Sequence, residues 1–529
     1  MNSLKVLDVT LRDGGCVNNF NFGQTYMEKI LAAQEASGVE MIELGYIDEK
    51  KGSETGRTQY INEQVIPKCI LKHKKEGITY VAMMDYGKFN VDNLHPRTDE
   101  GIDGIRLAFH KKNFKDMIPL GRKIIEKGYK FYIQPMITLR YSDAELLELI
   151  DLVNKELPDA SGFYIVDSFG EMRPNDMNRM LNLVDHNLIP SMTLGFHSHN
   201  NLQLSYSNAM ALLQFPTNRD LQLDSSIMGM GKGAGNLCTE LLLEHLNEFY
   251  GKKYNIPPIL DVIDKVVNLL RAENYWGYSV EYYLSSANHC TPSYAKHFYE
   301  KHMLPIDQVG ELLSMIAEDK KISFDKDYAE ELYRKYNDKK AIDDTQAVTD
   351  LKTAFQRKDI LLIAPGKSLL TYADAIQKFI NSNEVITIGL NNFAAFKVDY
   401  ILTTRRASYD QAVKGTVSTI VTSNVSKGGR GSVIVLDYNK WINVDETTHD
   451  SSGIIALNLL EKCNVHKVFM AGFDGYTLDI NENYYDKNLR QPDTGAGTIE
   501  KNQYFSNVIK QKKRKGMEIE FITPTRYEV

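Results

Sequence analysis

Eight short apolar runs, separated by longer amphipathic segments, occupy the chain from residue 4 to about residue 226. This alternation is typical of parallel strands joined by crossover helices. The runs are LKVLDVTL from Leu4, VEMIEL from Val39, ITYVAMM from Ile78, GIRLAF from Gly104, KFYIQPMI from Lys130, GFYIVD from Gly162, TLGFHSH from Thr193 and LQLDSSI from Leu221. Eight consecutive units favour a closed TIM (β/α)8 barrel over an open, doubly wound sheet. We therefore predict an α/β fold with a barrel over residues 1–236.

The remaining residues predict further segments, as a chain of 529 residues requires, since a barrel alone takes about 250. Helical, aromatic-rich patterns over 237–337 indicate a helical extension of the barrel. The charged and polar stretch 338–357 is typical of a linker. Residues 358–529 contain seven more apolar runs with helical segments between several of them, which favours a Rossmann-like open parallel sheet.

Composition excludes several classes of partner and location. The chain is 43% hydrophobic and 25% charged, as in globular proteins, and its net charge of -7 leaves no broad basic surface for nucleic acid. Five cysteines occur without a C-x-x-C pair, which fits a reducing compartment. No apolar run approaches the roughly 18 to 20 residues of a membrane span. We expect a cytoplasmic protein with neither nucleic acid nor membrane as partner, and a homo-oligomer is compatible with these features.

The sequence H-S-H at the end of the seventh run predicts a metal site. His197 and His199 are two residues apart on a strand, so both side chains point to the same side. Asp13 ends the first run and can supply a carboxylate once the barrel closes. Two imidazoles and a carboxylate suit Mn, Fe, Co or Zn. The motif is short, however, and taken alone it is equally consistent with a hydrogen-bonded histidine pair that holds no metal.

Four segments, in the same order, resemble the metal-dependent aldolase, lyase and acyl-transfer superfamily, which includes 4-hydroxy-2-oxovalerate aldolase and 3-hydroxy-3-methylglutaryl-CoA lyase. They are L-D-V-T-L-R-D-G at 7–14, V-D-S at 166–168, H-S-H-N-N at 197–201 and G-M-G-K-G-A-G-N at 229–236. The resemblance implies a divalent ion, first Mn2+ and alternatively Mg2+, Co2+ or Zn2+, bound by Asp13, His197 and His199 with Asn236 beside it. It also implies that Arg12 holds the carbonyl or developing enolate oxygen of the substrate.

Within the superfamily, the glycine loop is most similar to that of the oxovalerate aldolases, which implies a small 2-oxo acid as substrate. The segment G-Y-S-V-E-Y from Gly277 to Tyr282 lies where such aldolases place an active-site tyrosine, and the resemblance implies that Tyr282 is catalytic. The general-base histidine of that group is replaced by Cys16, whose thiol, with a reference pKa of about 8.5, is a poor base. Cys16 is therefore expected to line the substrate pocket. The base is left open between His110, His289 and a metal-bound hydroxide.

Two carboxylates at strand ends, Glu43 and Asp167, are candidates for contacts to substrate hydroxyls or to metal ligands. A hydrogen-bonded barrel carboxylate without such a role is an equally good interpretation.

The last part of the chain resembles the nucleotide-sugar-binding fold of the bacterial sialyltransferase-like group. The resemblance rests on a glycine-containing loop after the first run, an asparagine after the second and a Ser-Gly at a helix start. It implies a nucleotide or nucleotide-sugar ligand, and the residues that carry it are Gly366, Ser368, Asn391, Ser452 and Gly453.

Three functions are compatible with these observations. The leading hypothesis is a metal-dependent aldolase or lyase, acting next to the carbonyl of a 2-oxo acid, fused to a nucleotide-sugar-binding domain. An acyl-CoA-dependent condensing acyltransferase on the same barrel is the first alternative. The second is a barrel without catalysis joined to a glycosyltransferase-like domain.

Overall fold

The computed structural model describes residues 3–51, 54–71, 74–301, 304, 306–391, 396–412, 416–425, 432–442, 451–479, 482–486 and 498–529. It contains two compact units, Met1–Pro292 and Ser293–Val529. The division falls inside the segment 237–337 that the sequence indicates as one helical extension. No helix in the described part of the chain combines the length and the hydropathy needed to cross a bilayer.

The first unit contains the predicted closed barrel. Parallel pairing runs around eight strands and closes where β1 pairs with both β2 and β9, which confirms the predicted fold. A two-residue strand, β3, adds to β2 outside this ring and was not predicted. The strands are β1 Leu4–Asp8, β2 Met41–Ile47, β3 Gln59–Tyr60, β4 Thr79–Asp85, β5 Gly104–Phe109, β6 Lys130–Pro135, β7 Gly162–Asp167, β8 Thr193–Ser198 and β9 Leu221–Ser225.

Helices cover the outside of the barrel, so each strand is buried on both faces. In β1, Val6 packs in the large core between strands and helices, whereas Leu7 packs in a smaller cluster with Val81 and Tyr164. Such two-sided burial explains why the runs are almost continuously apolar. The helices are α1 Gln24–Ser37, α2 Ile66–Cys69, α3 Phe114–Glu126, α4 Asp143–Glu156, α5 Pro174–Asn187, α6 Ser205–Gln214, α7 Thr239–Tyr250, α8 Pro257–Val262, α9 Asn268–Glu273 and α10 Val280–Ala287.

The second unit is built on an open parallel sheet, as predicted. Its described strands are ordered β14-β13-β12-β11-β10-β15-β16, so the direction of winding reverses at β10. They are β10 Asp359–Ile363, β11 Val385–Leu390, β12 Tyr400–Thr403, β13 Ser418–Thr422, β14 Val433–Leu436, β15 Lys467–Ala471 and β16 Glu518–Phe521. The helices from the boundary onward are α11 Pro292–Lys296, α12 Ile306–Ser314, α13 Lys326–Asp338, α14 Thr345–Ala354, α15 Ser368–Thr371, α16 Ala373–Ser382, α17 Arg406–Ala412, α18 Tyr438–Trp441, α19 Ser452–Lys462 and α20 Thr498–Arg514.

The stretch 338–357, indicated as a linker by its composition, is packed into the second unit. It forms α14, whose Leu351 is buried. Asp344, just before this helix, accepts hydrogen bonds from the backbone N–H of Asp437 at 2.9 Å and from Trp441 Nε1 at 2.8 Å. A buried carboxylate with these partners fixes the segment to the second unit.

Candidate functional site

Three side chains from distant parts of the sequence converge at the carboxyl ends of the barrel strands. Asp13 lies five residues beyond β1, His197 lies in β8, and His199 follows it directly. Asp13 Oδ2 is 3.6 Å from His197 Nε2 and 3.9 Å from His199 Nε2. One ligand atom from each residue lies within 4.8 Å of the others, and all three residues are buried. Closure of the ring between β1 and β9 brings Asp13 beside β8, as the sequence predicts.

Each histidine ring is oriented by a polar partner at Nδ1, the ring nitrogen that does not face Asp13. His197 Nδ1 lies 3.0 Å from Asp224 Oδ2, and His199 Nδ1 lies 3.0 Å from the backbone oxygen of Lys232. Both Nε2 atoms therefore face Asp13, as expected of metal-ligating imidazoles held by outer contacts. Burial lowers the pKa of His199 to about 4, which leaves its imidazole neutral. Burial opposes ionisation of Asp13, but Arg12 and the two histidines hold its pKa well below the ordinary value.

The surroundings of Asn236 show whether the ligand atoms of Asp13, His197 and His199 are suited to a cation. Its Nδ2 donates to the backbone oxygen of Met230 at 3.2 Å, whereas its Oδ1 is buried without a hydrogen-bond partner among the described residues. The backbone of Asn236 forms an isolated bridge with His199. At Gly231, a Cβ would lie 2.8 Å from Asp13 Oδ1, so glycine leaves the space open. Two imidazole nitrogens, a carboxylate and an unsatisfied amide oxygen are suitable ligands for a divalent transition metal.

A network of buried ion pairs holds Arg12 and the partner of His197 in place. Arg12 Nη1 lies 2.5 Å from Asp13 Oδ2, and Arg12 Nε lies 2.7 Å from Glu43 Oε2. Arg106 Nη1 lies 2.9 Å from the same Glu43 oxygen, and its Nη2 binds Asp224. Glu43 thus fixes Arg12, and Asp224 fixes His197. Arg106 was not predicted from the sequence, where it stands out only as a charged residue inside the apolar run GIRLAF.

Arg12 keeps one donor for a ligand. Its Nη2 is buried and has no hydrogen-bond partner in the described part of the chain. An unsatisfied buried guanidinium donor costs free energy unless a ligand oxygen completes it. Burial opposes protonation, but Glu43 and Asp13 together raise the pKa of Arg12, so it carries its charge throughout the ordinary pH range.

Two further predicted residues lie at the strand ends and in the adjoining loops. Cys16 keeps solvent contact, yet desolvation by the surrounding protein and the Asp13 carboxylate raise the pKa of its thiol to about 12. His110 is half-buried directly after β5, and desolvation lowers its pKa. The Cys16 thiol therefore stays protonated at neutral pH.

Three predicted residues have structural contacts of their own. The Asp167 carboxylate accepts from the backbone N–H groups of Glu171 at 2.9 Å and Met172 at 3.0 Å, and burial raises its pKa to about 7. His289 Nδ1 lies 2.7 Å from Glu171 Oε2. Tyr282 lies in the first turn of α10, where its backbone N–H donates to Ser279 Oγ. Asp167 thus anchors the loop after β7, which agrees with its interpretation as a hydrogen-bonded barrel carboxylate.

In the second unit, the five predicted nucleotide-binding residues fall into two groups. Ser368 binds Asp474 through its hydroxyl and donates its backbone N–H to Asp474 Oδ2 at 2.7 Å. The backbone N–H of the nearby Gly366 donates to the backbone oxygen of Gly472 at 3.0 Å. The carboxylate of Asp474 thus accepts the hydrogen bonds offered at the start of α15.

The other group lies at the neighbouring strand ends. Asn391 Nδ2 donates to Ser452 Oγ at 2.6 Å, and Asn391 Oδ1 accepts from Thr403 Oγ1 at 3.1 Å. Gly453 follows Ser452 in the first turn of α19. A Cβ at Gly453 would lie 3.0 Å from the rings of Phe473 and Phe505, so packing alone favours glycine there.

The part of the chain that forms the barrel is similar to known proteins. Residues 3–263 match the HMGL-like family. The chain is 29% identical over 245 residues to 4-hydroxy-2-oxovalerate aldolase 2 of Comamonas testosteroni, and the match covers 45% of this chain and 67% of that protein. It is also 29% identical over 243 residues to 4-hydroxy-2-oxovalerate aldolase 2 of Dechloromonas aromatica (strain RCB), covering 45% and 68%. The N-terminal domain of a proposed aldolase from Bacteroides vulgatus superposes with a TM-score of 0.46 at 25% identity, covering 59% of this chain and 97% of that one.

Proposed function

We propose that the HMGL-like barrel is a divalent-metal-dependent carbon–carbon lyase that acts next to the carbonyl of a 2-oxo acid. The observation that carries the proposal is the Nη2 donor of Arg12, which has no hydrogen-bond partner among the described residues and is held beside the Asp13, His197 and His199 group. The aldolase relatives support the same class of reaction. We take a 4-hydroxy-2-oxo acid as the substrate and Mn2+ as the first candidate for the metal.

The chain's own residues account for the electrostatic part of the reaction. A bound divalent cation would supply Lewis-acid polarisation of the substrate carbonyl. Arg12 donates from Nη2 to the oxygen of that carbonyl, on which negative charge develops as the neighbouring C–C bond breaks. Glu43 and Asp13 hold the guanidinium on its other edges, so this donor does not have to reorganise during the reaction.

Substitution of Arg12 tests the proposal. Arg12→Gln should lower kcat/KM for pyruvate release by about 10²- to 10³-fold, the usual effect of losing one donor to a developing oxyanion. Pyruvate is measured with a coupled lactate dehydrogenase assay on a panel of 4-hydroxy-2-oxo acids. Wild-type rates in this variant would contradict the role of Arg12.

A second pair of variants tests the metal ligands. His199→Ala should lose metal retention, measured by elemental analysis after gel filtration. His186→Ala, an exposed histidine on α5, should retain the metal and serves as the matched control. If the metal-loaded wild type releases no pyruvate but consumes acyl-CoA with an oxo acid, the barrel is a condensing enzyme instead.

For the second unit we propose a nucleotide or nucleotide-sugar ligand at the carboxyl edge of its sheet. Support comes from the Asn391 and Ser452 contact beside β10, where the winding direction reverses, since open α/β sheets bind ligands at such edges. Calorimetric titration with nucleoside mono- and diphosphates tests it. Binding should weaken at least tenfold in Asn391→Ala, and absence of binding by the wild type would refute it.

A further inference from the structure

A second group of polar side chains lies at the carboxyl ends of β2 and β4, two paired strands of the barrel. Asp85 is the last residue of β4, and Tyr46 lies near the end of β2. The Tyr46 phenol and the Asp85 carboxylate act on each other electrostatically. Both side chains are partly buried, and neither belongs to the cluster of metal ligands.

The backbone holds this pair in place. The loop after β4 turns back on itself through the hydrogen bond from Lys88 N to Asp85 O at 3.0 Å. The loop after β2 is tied to it by the bond from Glu49 N to Lys88 O at 3.1 Å. Asp85 thus lies at the end of a barrel strand, next to two loops that are tied together, and a position on such a rigid element is expected of a preorganised site residue.

The charges around Asp85 favour a role in proton transfer. Arg12, His110 and Lys88 act on it electrostatically, and Asp85 in turn acts on the thiol of Cys16. Desolvation by burial raises the pKa of Asp85 above the ordinary value of a carboxyl, which increases its affinity for a proton. The proposed cleavage needs such a group, because the Cys16 thiol is a poor proton acceptor.

We infer that Asp85 is the catalytic base of the barrel and that Tyr46 is its positioning residue, an inference that rests on the proposed function. Asp85 accepts the proton of the substrate's 4-hydroxyl, and the O–H electron pair forms the carbonyl of the departing aldehyde. The C3–C4 bond breaks, and its electron pair forms the enolate of pyruvate, whose oxygen Arg12 holds. The proton then passes from Asp85 to C3, which yields pyruvate and restores the carboxylate.

Asparagine at this position removes the proton acceptor at nearly constant shape. Asp85→Asn should lower kcat for pyruvate release by about 10²- to 10⁴-fold, the usual contribution of a general base, with KM changed less than about threefold and metal content equal to wild type. Asp99→Asn, in the exposed loop that precedes β5, is the matched control and should keep wild-type rates.

Chemical rescue separates a proton-transfer role from a purely structural one. Asp85→Gly should regain at least tenfold in rate with added formate, whereas chloride at equal ionic strength should have no effect. Tyr46→Phe should keep part of the activity and shift the acidic limb of the pH profile.

The outcomes distinguish two failures. A wild-type protein that releases no pyruvate overturns the proposed function together with this inference. An active wild type with Asp85→Asn within threefold of its rate, or with no rescue of Asp85→Gly by formate, overturns only the assignment of Asp85. Loss of activity in His110→Asn, with Asp85→Asn active, would move the base to His110.

Discussion

Replacing Asp224 by asparagine should weaken metal binding without removing a metal ligand. The Asp224 carboxylate is buried, and its Oδ2 lies 3.0 Å from His197 Nδ1 while also binding Arg106. It fixes the ring so that Nε2 faces Asp13, and its negative charge makes the imidazole a stronger ligand. Outer partners of this kind contribute about 10- to 100-fold to metal affinity. This range corresponds to about 1.4 to 2.8 kcal/mol.

The assay is calorimetric titration of the metal-free protein with Mn2+, with far-UV circular dichroism to confirm folding. Asp116→Asn, an exposed aspartate on α3, has the same change in charge and should bind Mn2+ as the wild type does. A folded Asp224→Asn protein with wild-type affinity would refute the argument that Asp224 orients His197.

Three further substitutions, one of them with a control variant, test the packing around the site and one helix cap. Arg106→Met removes the buried cation that pairs with Asp224 and one of the two that pair with Glu43, and it should destabilise the protein by about 3 to 5 kcal/mol; an unchanged urea midpoint would contradict this. Gly235 has φ +85°, and a Cβ there would meet a backbone carbonyl oxygen, so Gly235→Ala should abolish metal retention. Gly77 has a similar φ of +84° but lies in open space. The control Gly77→Ala should therefore retain the metal and lower the free energy of unfolding by about 1 to 2 kcal/mol. Ser142→Ala removes a capping box and should cost about 1 kcal/mol at pH 7. Hydrogen bonds from the Ser142 backbone N–H, from Lys111 and from the Ser142 hydroxyl lower the pKa of Glu145 from 4.5 to about 2. The part contributed by the hydroxyl is complete above pH 4.5, so the difference in urea midpoint should shrink as the pH falls towards 2.

The barrel was predictable because its physical cause is local. Strands buried on both faces must be apolar almost throughout, and β1 shows this with Val6 facing the helices and Leu7 facing the interior. The convergence of Asp13 with His197 and His199 followed from the closure of eight strands, since their carboxyl ends meet at one end of the barrel.

Other features depend on packing between residues far apart in the sequence. Arg106 reaches Asp224 across 118 residues of sequence, and nothing in the run GIRLAF indicates this partner. The stretch 338–357 reads as a linker, yet Asp344 and Leu351 attach it to the second sheet. The division of the units after Pro292 likewise follows from which helices pack together, and helical periodicity carries no information on the partner surface.

Release of pyruvate from 4-hydroxy-2-oxo acids, by protein stripped with a chelator and then reloaded with Mn2+, tests the central claim most directly. We predict no release by the metal-free protein and restored turnover at one Mn2+ per chain, with the same dependence lost in His199→Ala. Stoichiometric Mn2+ binding without turnover of any oxo acid in the panel would contradict the assignment of the barrel as a carbon–carbon lyase.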